Sequence, residues 1–133
     1  MKHEFEVRTP AHTCLVNITA QVARLVSLSK IKEGICCVFI PHTTAAVTIN
    51  ENADPTVQSD IIREMGKVVP WDDHYDHVEG NAAAHIKVSM FGSSQTMIVD
   101  GGRLQLGTWQ GVYLAEFDGP RTRKVWVKVV PGA

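Results

Sequence analysis

Phe5 and Val7 alternate with charged neighbours in HEFEVR, a period of two that predicts a half-exposed outer strand over residues 3–8. A short second strand is expected over 14–18. Thr19 can then cap a helix in which Val22, Leu25, Val26 and Ser29 recur at helical spacing, ending near residues 32–34. ICCVFI, residues 35–40, is apolar throughout and predicts a strand covered on both faces. A further strand, AAVTIN over 45–50, leads to a second helix. Asp54 is its N-cap and Pro55 its first residue, where a missing N–H costs nothing. Val57, Ile61, Met65 and Val68 would form that helix's buried stripe.

Residues 70–79 read as a polar loop, and Gly80-Asn81 opens a third helix of about ten residues that ends at Gly92. Beyond it the pattern is all strand: 94–100, 109–119 and 121–130, separated by Gly-Gly and Gly-Pro turns. In the strand that begins at Trp109, alternation puts Gln110, Val112, Leu114, Glu116 and Asp118 on one face. Trp109, Gly111, Tyr113, Ala115 and Phe117 take the other, which has the look of ordinary core. The mixed first face reads equally as solvent-facing or as the lining of a cleft. Strands outnumber helices and short turns join most of them, so the expected fold is one α+β domain, mainly an antiparallel β-sandwich with about three helices.

A chain of 133 residues can bury one core and is too short for two comfortable domains. No stretch approaches the roughly 18 apolar residues of a membrane span, and MKHEFEVRTP is charged from its second residue, unlike a secretory signal. No membrane association and a cytoplasmic location are the expectation. A net charge of −1 without like-charge blocks offers no field for nucleic acid. Cys14, Cys36 and Cys37 form no C-x-x-C pair and read as reduced thiols, the adjacent two as inert packing.

Candidate chemistry concentrates in HYDHVEGNAAAHIK, residues 74–87, with three of the six histidines. His85 falls one turn inside the third helix, behind Asn81 and three alanines. Small side chains there admit a ligand, and the free N–H groups of the helix start suit a phosphate or carboxylate. The plainer reading is that Asn81 only caps and the alanines only pack. His42 follows a strand directly and should emerge at a sheet rim, although a histidine there can equally serve a nearby carbonyl. Converging with His77 and His85, it would complete a set of three neutral imidazoles of the kind that holds a zinc-like ion with an open position. His74 reads as a solvated loop residue, and His3 and His12 as surface. Among the acids Asp54 has its capping task, whereas Glu51 and Asn52 have none evident. Asp60 lies at the margin of the second helix's stripe, where an acid is costly unless paired.

The blocks HTTAAVTINENADPTVQSDI (42–61), HVEGNAAAHIKVSMFGSS (77–94) and GRLQLGTWQGVYLAEFDGPR (102–121) resemble the YjbQ-like family, also called the secondary thiamine-phosphate synthase family, in order and spacing. The resemblance implies an antiparallel sandwich assembled as a homotrimer with clefts near subunit boundaries. It implies weak thiamine-phosphate synthase activity, joining an aminopyrimidine methyl diphosphate to a thiazole phosphate with loss of pyrophosphate. It makes His42, His77 and His85 the shared histidines and puts Glu51, Asp60, Lys87, Gln110 and Glu116 at matching polar positions. Loss of pyrophosphate requires charge neutralisation, which a divalent ion (zinc or magnesium), Lys87 and the amides after Asn81 would supply, with Ser93 and Ser94 as hydroxyl donors. The thiazole nitrogen is the nucleophile, so the protein needs none. The partner implied is a small phosphorylated metabolite. Two rival readings stand beside it: a metal-dependent hydrolase of phosphate or other esters, and a non-enzymatic module that binds a metal or phosphometabolite.

Overall fold

The structure, a computed structural model, describes residues 2–132. The order of elements is β1 (His3–Arg8), β2 (Cys14–Asn17), α1 (Thr19–Ser29), β3 (Glu33–Phe39), β4 (Ala45–Glu51), α2 (Pro55–Val68), α3 (Ala82–Phe91), β5 (Ser94–Asp100), β6 (Arg103–Gln105), β7 (Gln110–Glu116) and β8 (Thr122–Pro131). Every strand pairing is antiparallel. One sheet has the order β1-β8-β3-β5-β6 and the other β2-β7-β4. Cys36, Val38, Met97, Val99, Val125 and Val127 of the first sheet meet Ala45, Val47, Val112 and Leu114 of the second, and Val22 and Val26 of α1 complete this core. The fold is the α+β sandwich that strand alternation and short turns predict. Among the described residues no helix is long and apolar enough to cross a membrane.

Local chemistry explains most boundaries. Asp54 caps α2 as expected, its carboxylate accepting from the Thr56 amide at 2.9 Å, with Pro55 in the first turn. α3 ends at Gly92, whose φ of 94° lies in the region glycine tolerates. Thr19 is not the cap of α1: that position is Ile18, and the Thr19 hydroxyl instead accepts from the Val112 amide at 2.8 Å, tying the helix to β7.

Two expectations need correction, and one strand was not anticipated. β3 is not covered on both faces, for Ile35 and Phe39 remain about two-fifths exposed on the outer side of the five-stranded sheet while Cys36 and Val38 are buried. Nor is the stripe on α2 buried, since Val57, Ile61 and Met65 are half-buried and Val68 is exposed. β6, only three residues long, carries too little pattern to stand out and pairs with β5 through Leu104 opposite Val99. Cys36 does behave as packing, its thiol pushed up to about 11 by burial and then by neighbouring Cys37.

A second, smaller core positions the site. Ala84 and Val88 of α3 pack on Ala46, Ala115 and Phe117, so small residues on both sides let the helix lie close against the outer face of β4 and β7. The Val47 amide donates to the Gly92 carbonyl at 3.2 Å, and Ile40 donates to Ser93 at 2.8 Å. α3 is thereby anchored at the end of the sandwich where Ala45 lies opposite Glu116.

Candidate functional site

At that end lies a cavity of about 630 Å³, a size suited to a small metabolite. His42, His77 and His85 all line it, so the three imidazoles do converge from separate segments. Residues 41–44 after β3, the loop before α3 with its first turn, and the β7–β8 connection form the walls.

The base is a buried ion pair. Glu116, 0% exposed, accepts from Arg123 Nε at 2.8 Å on Oε1 and from Arg123 Nη2 on Oε2. Its remaining capacity is taken by the Thr9 hydroxyl at 2.8 Å and the Asp118 amide at 3.0 Å. Burial alone would raise this carboxyl, but the donors of Arg123, the Asp118 amide and Thr9 outweigh it and hold Glu116 below the usual carboxylate range. Glu116 is therefore a support for Arg123 and has no lone pair left for proton transfer. The mixed face of β7 divides along its length: Gln110 is exposed, Val112 and Leu114 are core, Glu116 is sealed beneath the cavity, and Asp118 lines it.

His42 stands in the wall with Nε2 accepting the Lys124 amide at 2.9 Å. An acceptor nitrogen carries no proton, so the neutral ring bears its hydrogen on Nδ1. Burial lowers its pKa, and the charges of Arg123 and Lys124 act in the same direction against a smaller opposing pull from Glu116. His77 and His85 meet edge to face with ring centroids 5.2 Å apart. Asn81 makes no capping hydrogen bond. Its Nδ2 donates instead to Asp118 Oδ2 at 2.9 Å, and Arg121 Nη2 reaches the same oxygen at 3.0 Å. The Ala84 amide donates to the Asn81 carbonyl at 3.0 Å, so Asn81 closes the first turn of α3 through its main chain while its side chain serves Asp118. Formal charge on the walls is balanced, Glu79 and Asp118 against Arg121 and Arg123.

A divalent ion fits this site incompletely. Among the described residues no group of three His, Cys, Asp or Glu side chains is gathered to hold one. His77 and His85 are close enough to share a ligand, but the Nε2 of His42 is already taken by a backbone amide.

Other expected residues fall elsewhere. Ser93 lines the cavity, whereas Ser94 is exposed on β5 opposite Phe39. Lys87 does not line the cavity. It is 4% exposed on the packed face of α3, with Nζ 5.7 Å from the Phe117 ring and its pKa lowered by burial. Glu51, Asp60 and Gln110 are not at the cavity at all, for Glu51 and Gln110 pair with each other at the far ends of β4 and β7. The Glu51 carboxylate accepts from the Ala53 amide at 3.1 Å, and Gln110 Oε1 accepts from the Gly107 amide at 2.8 Å. Asp60 is exposed rather than at a buried margin and pairs with Arg63 at 2.7 Å.

Arg121 and Arg123 are the residues that the sequence reading missed. A signal existed for Arg123, which shares strand parity with buried Val125 and Val127 just as Glu116 does with Val112 and Leu114. Two opposite charges at core-facing positions of consecutive strands call for each other.

The model of the family described as "UPF0047 protein YjbQ-like" matches residues 3–132. The chain belongs to this family. It is 47% identical to the UPF0047 protein MJ1081 of Methanocaldococcus jannaschii over 98% of this chain and 94% of the relative. With the UPF0047 protein YugU of Bacillus subtilis it shares 46% identity over 98% and 99% of the two chains. A solved YjbQ/UPF0047-family protein from Clostridium acetobutylicum superposes with a TM-score of 0.95 at 51% identity, covering 96% of this chain and 99% of that one. The YjbQ-like assignment thus covers both walls of the cavity, including the segments that hold His42, His85 and Arg123.

Proposed function

We propose that the cavity binds the phosphoryl end of a small metabolite and that the protein is a transferase with weak thiamine-phosphate synthase activity. The observation that carries this reading is the shared lining of one cavity by three imidazoles, two arginines and the start of α3. In the proposed reaction the thiazole nitrogen attacks the methylene carbon of the aminopyrimidine methyl diphosphate and the carbon–oxygen bond to pyrophosphate breaks. The protein supplies position and compensating charge, and no side-chain nucleophile is required. Arg121 and Arg123 replace Lys87 as the cations nearest the departing group, and Ser93 adds a hydroxyl. A divalent ion belongs to the proposal only with bound phosphate oxygens completing its shell, and His77 and His85 are the side chains that would hold it.

The proposed working form is a homotrimer in the cytoplasm. Ile35 faces Ile98 on one side and Val130 on the other, and all three are exposed. An apolar stripe across the outer face of the larger sheet suits burial against another copy.

The test is formation of thiamine phosphate from the two phosphorylated substrates by wild type and by His85→Ala, with metal content measured in parallel. Product above background in wild type that falls at least tenfold in the variant supports the reading. Hydrolysis of generic phosphate esters faster than synthesis would favour the hydrolase reading, for which the 5.2 Å spacing of His77 and His85 is the supporting observation. Tight phosphate binding with neither activity would leave a binding module.

A further inference from the structure

We infer that Arg123 is the anion-recognising residue of this cavity, presenting Nη1 to a phosphoryl oxygen while Glu116 and Thr44 hold the rest of its guanidinium. The inference rests on the proposed phosphometabolite reading and deepens it. A guanidinium has five N–H donors on three nitrogens. Nε and Nη2 are committed to Glu116, and Nη2 also donates to the Thr44 hydroxyl at 2.8 Å. Among the described residues Nη1 has no acceptor. Among the described residues the one fully enclosed side-chain polar atom without a partner is Asn81 Oδ1, so Nη1 retains an opening to solvent. Arg123 is only 4% exposed, and the surface it keeps lines the cavity.

Such an arrangement fits an acceptor-only ligand. The Glu116 carboxylate is clamped from behind by Thr9 and the Asp118 amide, which makes it a positioning residue that fixes the guanidinium plane before any ligand arrives. His42 is held one residue along β8 by the Lys124 amide, and its remaining ring nitrogen is a donor. Arg121, by contrast, is half-exposed and bonded to Asp118, so it is the less enclosed of the two cations. Donors without acceptors at Arg123 and His42 select an oxyanion such as a phosphate or pyrophosphate over a neutral polyol or an ammonium group.

The experiment is titration of the full chain with inorganic phosphate and, separately, pyrophosphate. Binding is read by calorimetry and the arginine side-chain nitrogen signals by NMR. Arg123→Lys retains a charge for Glu116 and removes Nη1. The expected result is a shift of the Arg123 signals in wild type and a loss of affinity of at least tenfold in Arg123→Lys. Binding that shifts only Arg121, or that is unchanged in a folded Arg123→Lys, would overturn the inference while leaving the phosphometabolite reading intact. Absence of binding of either anion to wild type would remove both. If Arg123→Lys fails to fold, the wild-type arginine signals decide the matter alone.

Discussion

β4 and β7 run side by side for seven residues each, and their two ends, roughly 20 Å apart, use polar residues for opposite purposes. At the Glu51–Gln110 end nearly every polar group serves the backbone. The Tyr113 hydroxyl donates to the Glu51 carbonyl at 2.8 Å, Gln58 Nε2 donates to that carbonyl and to the Tyr113 oxygen, and Asn52 Nδ2 donates to the Gln110 carbonyl at 2.8 Å. These contacts tie α2 and the flanking turns to the sheet. At the Ala45–Glu116 end, one saturated carboxylate holds one arginine, and around it, among the described residues, lie groups with unused donors: Arg123 Nη1 and the Nδ1 of His42. The difference teaches that a polar residue in a family motif marks a site only where hydrogen-bonding capacity is left over.

The contrast is broken most directly by removing one acid at each end. Glu116→Ala strands Arg123 as a buried unpaired charge and should cost about 3–5 kcal/mol in urea denaturation. Glu51→Ala removes only a turn contact and should cost about 1 kcal/mol. Equal losses would show that the two ends do not differ in kind. Next in size, Tyr113→Phe deletes the hydroxyl between Glu51 and Gln58 and is expected to lower stability by about 1 kcal/mol while leaving phosphate affinity unchanged. A change in affinity would connect the two ends energetically.

A smaller effect is expected with pH. The folded state holds His42 neutral below the ordinary imidazole pKa of about 6.5, so in that window the unfolded chain binds more protons. Its contribution to stability is complete above about 6.5 and is lost as pH falls through the lowered value. Melting temperature should therefore rise with pH across this range in wild type, and the rise should shrink in His42→Gln. An undiminished rise in the variant would assign it to another group. The smallest effect belongs to Asp60→Ala, whose exposed pair with Arg63 should leave both the denaturation midpoint and anion affinity within error.

Much of the architecture was legible because it is written at short range. Period-two alternation located β1, the Asp54-Pro55 pair marked the start of α2, and Asn81 with Gly92 bracketed α3. Convergence of His42, His77 and His85 was foreseen, partly from chain punctuation and partly from family resemblance. Lys87, put among the site residues by the resemblance alone, lies on the packed face of α3 with the alanines, since a motif position does not say which helix face turns inward. Asp60 was misjudged because helical spacing puts it beside the apolar stripe without saying how deeply that stripe packs, and α2 covers the sheet only loosely. The covering of β3 was overestimated because an apolar run signals burial without distinguishing a neighbouring element of the same chain from an open face.

The amino-acid order alone determined the three helices and most of the strands, the Asp54 cap and the glycine turns, and the antiparallel character of the sheets, since each follows from residues a few positions apart. Tertiary structure alone decided that the His42 ring would face the Lys124 amide 82 positions away, and that Glu116 would be spent on Arg123. Local pattern states which groups are polar. Only the packing of the sheets states which of them still have a donor to offer, because that depends on the partners brought alongside by neighbouring strands.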